Sequence, residues 1–299
     1  LYMAPTLNAE KIDYMPEIKA IYLTLFNYAA IENVDLFGPL TYYDNKGNFD
    51  GSSFEYDRVK DIYYQVKADI DAAIECFKYY KDHRSEAYKK QIGSAIGNYV
   101  MLLSSYDIDY SDLSVWIRFA NSLKLRMAIH MSKVEPATAK QWAEEAVAGG
   151  VIENTTDEIG LFPSLLGGTH QLAEITGWND IVMGASFINL LQNLAHPYMK
   201  YLFTKNSIAL EKSKQAVSGT SAPATTSEGT VFIGMRNGVT PGEGQAASTN
   251  PYCGYSTLDR TYFSECNPPL YLMKVSEVNF LRAEGALRGW NMGGTAQSF

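Results

Sequence analysis

The segment Trp116–Met131 constrains the fold most, because too much of its surface is apolar for a helix that faces water. Apolar residues recur at the spacing of one helical face: Trp116, Phe119, Ala120, Leu123, Met127 and Met131. A second apolar row lies beside the first: Ile117, Leu125, Ala128 and Ile129. A surface helix needs only one apolar stripe. We therefore predict that this helix lies between neighbouring helices, and we expect function in the loops.

The composition indicates a large core and an acidic surface. Of the 299 residues, 46% are hydrophobic, which is enough for one big domain or two closely joined ones. The net charge of −8 and the isoelectric point near 5.1 argue against nucleic acid as a partner, because phosphate binding uses a basic stripe that this sequence lacks. No apolar run reaches the length of about 18 residues that indicates a transmembrane helix.

Hydrophobic periodicity predicts an all-α chain with little β-structure. The predicted helices cover residues 8–36, 57–80, 84–104, 111–132, 137–148, 179–195 and 271–288. Pro136 is predicted at the first position of the fifth helix, and Gly184 is predicted to interrupt the sixth at some cost. A short strand is predicted at residues 230–235. Helical hairpins in series indicate a solenoid-like array with long irregular loops.

A single domain is predicted over residues 1–299. Its helical core is expected at residues 8–196 and 271–290, and an irregular loop region is expected at residues 197–270. Residue 1 is a leucine, and the chain stops soon after a Gly-Gly turn where another helix could begin. We therefore expect a fragment of a longer protein, truncated at both ends.

Glu277 and Glu284 are the carboxylates best placed for acid–base work on a glycosidic bond. They share a face of the last predicted helix, and their Cα atoms would be about 10.5 Å apart. The carboxyl groups of glycosidases are about 5–9.5 Å apart, so the spacing fits poorly. Salt bridges with Arg282 or Arg288 are the alternative, and the sequence favours them, because Glu284 and Arg288 are four residues apart.

No metal, cofactor or nucleophile motif is present, and we predict none of these. The spacing of Asp107, Asp109 and Asp112 would suit Ca²⁺, but the turn lacks the glycine and closing glutamate of such a loop. Capping of the following helix explains these residues equally well. The three cysteines form no zinc pattern, and whether Cys253 and Cys266 pair stays open.

Asn121 is the unusual residue of the central helix, because it lies between Ala120 and Ser122 on a surface that is otherwise apolar. A buried amide is costly unless its hydrogen bonds are satisfied. We predict a structural role for Asn121, which is to fix a neighbouring loop, and no role as a ligand.

Aromatic residues in loops rich in Gly, Asn and Asp are the best candidates for a binding site. A flat ring with polar neighbours suits a pyranose, which offers an apolar face for stacking and hydroxyls for hydrogen bonds. The candidate ligand-binding residues are Tyr42, Tyr43, Trp178, Tyr252, Tyr255 and Tyr262. Packing of these rings onto the helical array is the alternative interpretation.

Four sequence blocks, in this order and spacing, resemble the SusD/RagB family of Bacteroidetes outer-membrane nutrient-binding lipoproteins. The blocks are Asp35–Tyr42, Tyr56–Tyr63 running on into Asp69–Ile74, Trp116–Arg126 and Glu277–Trp290. The third and fourth blocks are fairly specific together. One departure is His196-Pro197-Tyr198, where the family usually has Asp-Pro-Arg, and it bears on a local ion pair and not on the fold.

This resemblance implies tetratricopeptide-like hairpins with an irregular ligand face, and a lipid anchor in a segment N-terminal to this chain. It implies oligosaccharide binding, or sometimes peptide binding, at the extracellular face of the outer membrane, with no catalysis. It also implies delivery to a SusC-like TonB-dependent transporter in nutrient uptake and polysaccharide utilization. Because the family's ligand aromatics vary in position, the resemblance assigns no site residue.

The sequence therefore predicts a non-catalytic, glycan-binding protein of the cell surface. Two alternatives stay open. One is an all-helical glycoside hydrolase that uses Glu277 or an aspartate of the turn at residues 107–112. The other is a helical-repeat scaffold that binds only protein.

Overall fold

Helices make up most of the fold. The computed structural model describes residues 16–99, 112–161, 170–177, 182–205, 232–238, 255–259 and 269–299. Its α-helices and strands are, in chain order, α1 (Pro16–Phe37), α2 (Val59–His83), α3 (Glu86–Tyr99), α4 (Ser114–His130), α5 (Pro136–Ala148), β1 (Ile159–Leu161), α6 (Gln171–Gly177), α7 (Ala185–Asn193), α8 (Met199–Leu202), β2 (Leu270–Met273) and α9 (Val275–Leu287). The described residues also include a short π-helix, Asp44–Asn48, and two 3-10 helices, Met131–Lys133 and Thr155–Asp157. Strands β1 and β2 form a two-stranded sheet. The predicted all-α class is confirmed.

The chain divides into two compact units. Leu1–Leu161 and Tyr271–Phe299 form the first unit, and Phe162–Leu270 form the second. In the described part of either unit, no helix is both long enough and apolar enough to cross a membrane.

Helix α4 is the centre of the first unit. It contacts α1, α2, α5 and α9, and both apolar rows are buried, with no member more than 8% exposed. The prediction that this helix lies between neighbouring helices is confirmed. Its two apolar rows give each neighbour a surface to pack against, which is why one segment organises the core.

Asn121 fixes the loop after α5, as predicted. Its side-chain amide donates to the carbonyl oxygen of Gly150 at 3.0 Å, and the asparagine is 1% exposed. Gly149 passes so close that a Cβ on it would lie 2.8 Å from Asn121 Nδ2. The buried amide is therefore satisfied by the backbone that it holds.

Two predicted helices begin later than expected. Helix α7 begins at Ala185, and Gly184 precedes it with extended backbone (φ −71°, ψ 139°), so Gly184 leads into the helix and does not interrupt it. The last helix begins at Val275 because Leu270–Met273 pair as β2 with β1. Of the strand predicted at 230–235, the described residues contribute only an isolated bridge between Met235 and Gly184.

The second unit has its own small core. The buried side chains are Ile188, Leu191, Met199 and Phe203. Backbone hydrogen bonds tie the segments around this core together: Met183 donates to Ser256 at 2.8 Å, and Ser256 donates to Ile233 at 2.8 Å.

Candidate functional site

The loop that carries Tyr42 and Tyr43, residues 40–56, is closed at its base. The Asp57 amide donates to the Leu40 carbonyl at 2.8 Å, and the Asp57 carboxylate accepts the Tyr43 amide at 2.8 Å. Higher in the loop, the Glu55 amide donates to Asp44 Oδ2 at 3.1 Å. The last two bonds, from backbone amides to Asp side chains, are typical of Asp in loops, and all three hold the two ends of the loop together.

Tyr42 is buried, which corrects the expectation that its ring is displayed to a ligand. It is 2% exposed, and its hydroxyl lies 2.5 Å from Asn27 Oδ1 and 2.7 Å from Asp69 Oδ2. Burial, and then the hydrogen bond to the Asp69 carboxylate, raise the pKa of this hydroxyl far above its usual value. Tyr42 therefore anchors the loop to α1 and α2 as a neutral hydrogen-bond donor.

Replacing Tyr42 by phenylalanine should lower the free energy of unfolding by about 1–3 kcal/mol, because the buried Asn27 and the half-buried Asp69 carboxylate lose a donor while the ring keeps its packing. Chemical denaturation measures this change. Tyr79→Phe is the control, since Tyr79 is 52% exposed and its variant should stay within about 0.5 kcal/mol of the wild type. A Tyr42→Phe variant as stable as the wild type would contradict the anchoring role.

Tyr43 is the exposed ring of the pair. It is 51% exposed, and its backbone is held on both sides, because Asn48 Nδ2 donates to the Tyr43 carbonyl at 2.8 Å while Asp57 accepts the Tyr43 amide. A ring displayed from a fixed backbone loses little conformational entropy when a ligand stacks on it. Tyr43 thus keeps the properties that made it a candidate.

Two further exposed rings of this loop were not predicted from the sequence. Phe49 and Phe54 stack with centroids 4.2 Å apart and planes 10° apart, although they are 41% and 52% exposed. Between them, Asp50 accepts the amide and the hydroxyl of Ser52 at 2.9 Å and 2.6 Å. The spacing of two phenylalanines around an Asp-x-Ser turn is the sequence signal that would have found them.

Tyr255 belongs to the second unit, whereas Tyr42 and Tyr43 belong to the first. Its side chain is half-buried, and it directly precedes Ser256, which is fully buried and bonded through its backbone to Met183 and Ile233. The backbone at Tyr255 is therefore fixed next to the core of the second unit. Trp178, Tyr252 and Tyr262, and also Cys253 and Cys266, lie outside the described residues.

The candidate acidic pair is engaged in salt bridges. Glu277 receives a two-point contact from Arg126, with Nε at 2.6 Å and Nη2 at 2.9 Å. Glu284 pairs with Arg288 at 2.6 Å, as the spacing predicted. The partner of Glu277 is thus Arg126 on α4, and not Arg282, which pairs with Glu153 at 2.9 Å. Both oxygens of Glu277 are occupied by one guanidinium, an arrangement that suits structure better than proton transfer.

Asp112 caps the start of α4. It accepts the Ser114 amide at 2.8 Å and also the Ser114 hydroxyl, which satisfies one of the free amides of a helix start. Asp107 and Asp109 lie outside the described residues. Across the described ranges, no cluster of three or more His, Cys, Asp or Glu residues has the proximity to hold a metal ion.

The chain matches the family model SusD-like, described as Susd and RagB outer membrane lipoprotein, over residues 10–299. No curated protein matches it.

Several solved structures are similar. A chitin-binding SusD homologue from Flavobacterium johnsoniae is 28% identical, with a TM-score of 0.69 over 97% of this chain and 52% of that one. A SusD-like protein from Bacteroides thetaiotaomicron is 25% identical, with a TM-score of 0.67 over 95% of this chain and 53% of that one. A SusD homologue from Bacteroides vulgatus, which is 24% identical, shares the fold with a TM-score of 0.70 over 96% of this chain and 51% of that one. The chain thus spans about half the length of these relatives.

Proposed function

The chain belongs to the SusD-like family of outer-membrane lipoproteins, and on this premise we propose that it binds oligosaccharides at the cell surface without catalysing a reaction. The observation that carries the proposal is the family match over residues 10–299. A relative that covers nearly the same residues is described as chitin-binding, which supports a glycan as the ligand class. The engagement of Glu277 by Arg126 supports binding in preference to hydrolysis.

We propose that the ligand is bound by rings displayed in loops, with each unit considered by itself. Tyr43 is the described candidate of the first unit and Tyr255 is that of the second, and Trp178, Tyr252 and Tyr262 are proposed for the same role. Stacking on a ring face and hydrogen bonds from neighbouring Asn and Asp side chains would supply the affinity. Such a shallow site is expected to bind weakly, with Kd of about 10⁻⁶–10⁻³ M, or roughly −8 to −4 kcal/mol.

We also propose that the protein is anchored by a lipid and delivers its ligand to a SusC-like TonB-dependent transporter. The family description as an outer-membrane lipoprotein supports the anchor. The transporter follows from the family resemblance carried by the block Trp116–Arg126 together with the block Glu277–Trp290. Both proposals concern the whole protein.

Isothermal titration of the full-length protein against a panel of glycans, including chitin oligosaccharides, tests the proposal. We expect saturable binding of at least one glycan, with the glycan recovered intact by chromatography afterwards. Cleavage products would favour the hydrolase alternative, and binding of no glycan would favour the scaffold alternative.

Replacing Tyr43 by alanine should weaken the affinity for the best-bound glycan about tenfold, which corresponds to about 1.4 kcal/mol and to the loss of one stacking ring. Isothermal titration measures the change. Tyr79→Ala is the matched control, because Tyr79 on α2 has nearly the same exposure, 52% against 51%, and should leave the affinity unchanged. Equal affinities for the wild type and Tyr43→Ala would remove Tyr43 from the site.

A further inference from the structure

Tyr43 lies in the sequence between two residues that share one face of a helical turn. The Asn45 amide donates to the Thr41 carbonyl at 3.1 Å, so the backbone of the 40–56 loop begins as a turn of helix. Residues four apart on such a turn are neighbours on one face. Tyr42 and Lys46 are therefore expected to reach the same neighbouring group, and the contacts agree with this.

Both of these residues bind a single carboxylate oxygen, Asp69 Oδ2 on α2. The Tyr42 hydroxyl donates to this oxygen at 2.7 Å, and the Lys46 ammonium lies 2.5 Å from it. The same ammonium lies 5.2 Å from the centre of the Tyr42 ring, which is within the range of a cation–π contact. One oxygen of α2 thus holds the chain on both sides of Tyr43.

The Lys46–Asp69 pair is sheltered from water. Each of the two side chains is only 19% exposed, so solvent and salt screen their attraction less than they screen an exposed pair. Gly47, directly after Lys46, has a φ of 93°, a conformation that favours glycine. The helical backbone is interrupted there, and the contact between Lys46 and Asp69 fixes the turn at this end.

We propose that Lys46 is a positioning residue, which holds the 40–56 loop on α2 so that the Tyr43 ring is in place before a glycan arrives. This inference rests on the proposed function, in which Tyr43 is a ligand-binding ring. A loop that must be ordered on binding costs affinity, and a contact made beforehand removes that cost. Lys46 acts through Tyr43 and makes no contact of its own with the glycan.

Hydrogen–deuterium exchange of the full-length protein without ligand tests whether the pair holds the loop. In Lys46→Met, which keeps an apolar stem, loop amides should exchange about tenfold faster, because a charge-assisted bond to α2 is lost. Lys46→Arg retains the positive charge and should restore slow exchange. Unchanged loop exchange in Lys46→Met would overturn the inference.

Lys67→Met is the matched control. Lys67 pairs with Asp71 at the same distance, 2.5 Å, and the two side chains are 22% and 32% exposed. Both of these residues lie on α2, so the pair does not hold the loop. This variant should leave loop exchange and glycan affinity as in the wild type.

Isothermal titration with the best-bound glycan tests the positioning role. Lys46→Met should bind about three- to tenfold more weakly, the cost of ordering the loop on binding. Asp69→Asn should also weaken binding, and the double variant should bind no more weakly than Asp69→Asn alone, because both changes remove the same pair. Lys46→Arg should bind like the wild type.

The Tyr43→Ala variant separates positioning from direct contact. Adding Lys46→Met to it should change the affinity no further, because Lys46 acts through the ring that is already missing. A further loss would show that the lysine contacts the glycan itself and would overturn the inference, as would wild-type affinity in Lys46→Met alone. If the wild type binds no glycan, the proposed function fails and the positioning role falls with it, while loop exchange still reports whether Lys46 holds the loop.

Discussion

Replacing Trp116 by alanine should lower the free energy of unfolding by about 3–5 kcal/mol, the range found when a buried aromatic is truncated to alanine. Trp116 is 2% exposed, and its ring meets that of Phe119 edge to face, with centroids 6.1 Å apart. Because α4 contacts α1, α2, α5 and α9, a cavity there affects several helices at once. Whole domains are stable by only about 5–15 kcal/mol, so much of the protein should be unfolded at moderate denaturant concentrations.

Urea denaturation followed by circular dichroism measures this loss. Phe280→Ala is the control, because Phe280 is also a large aromatic on a helix of the first unit but is 77% exposed. It should change the stability by no more than about 0.5 kcal/mol. Similar losses in the two variants would contradict the central position of α4.

Replacing Arg126 by methionine should cost about 2–3 kcal/mol. The guanidinium is 7% exposed and pairs with Glu277 at 2.6 Å and with Glu32 at 2.5 Å, so three helices are joined by one cation. Removing one partner of a buried ion pair costs about 3–5 kcal/mol. The cost here is smaller because Glu277 and Glu32 are 37% and 46% exposed and water partly solvates them. Methionine keeps an apolar stem, so the change reports mainly on the charge.

Thermal and urea denaturation of Arg126→Met should both show the loss, and glycan affinity should stay that of the wild type. Arg58→Met is the control, since Arg58 and Asp61 form an exposed pair at 2.7 Å with side-chain exposures of 84% and 46%. Water screens an exposed pair and holding two mobile side chains costs entropy, so this variant should be almost as stable as the wild type. If Arg126→Met abolished glycan binding in a folded protein, the cluster would belong to the site and not to the frame.

Local hydrophobic pattern was enough to predict the helical frame. The two apolar rows of α4 are buried in the core, because a periodicity of 3.6 residues indicates which side of a helix is covered. The i, i+4 pair Glu284–Arg288 was predicted for the same reason, since its geometry is set within one helix.

Contacts between distant segments were not predictable in the same way. Residues 271–273 of β2 were predicted as part of a helix. A short apolar run is compatible with either a helix or a strand, and the strand that pairs with β2, β1, lies about a hundred residues earlier in the sequence. Arg126 and Glu277 are 151 residues apart, so the sequence offered only Arg282 or Arg288, on the same helix, as partners of the acidic pair.

The exposures of the two tyrosines in the 40–56 loop also depend on contacts between distant segments. Tyr42 and Tyr43 are neighbours in one loop, yet one is 2% and the other 51% exposed. The difference arises because Asn27 of α1 and Asp69 of α2 bind the Tyr42 hydroxyl. Which of two adjacent rings faces solvent therefore depends on residues that the loop sequence does not contain.

Hydrogen–deuterium exchange of the full-length protein, with and without its best-bound glycan, tests the central claim that loop rings bind and helices support them. We predict added protection in peptides that contain Tyr43 or Tyr255, and no change in peptides from the interiors of α2, α4 and α5. Protection centred on the Glu277 region of α9, with none at Tyr43 or Tyr255, would contradict it.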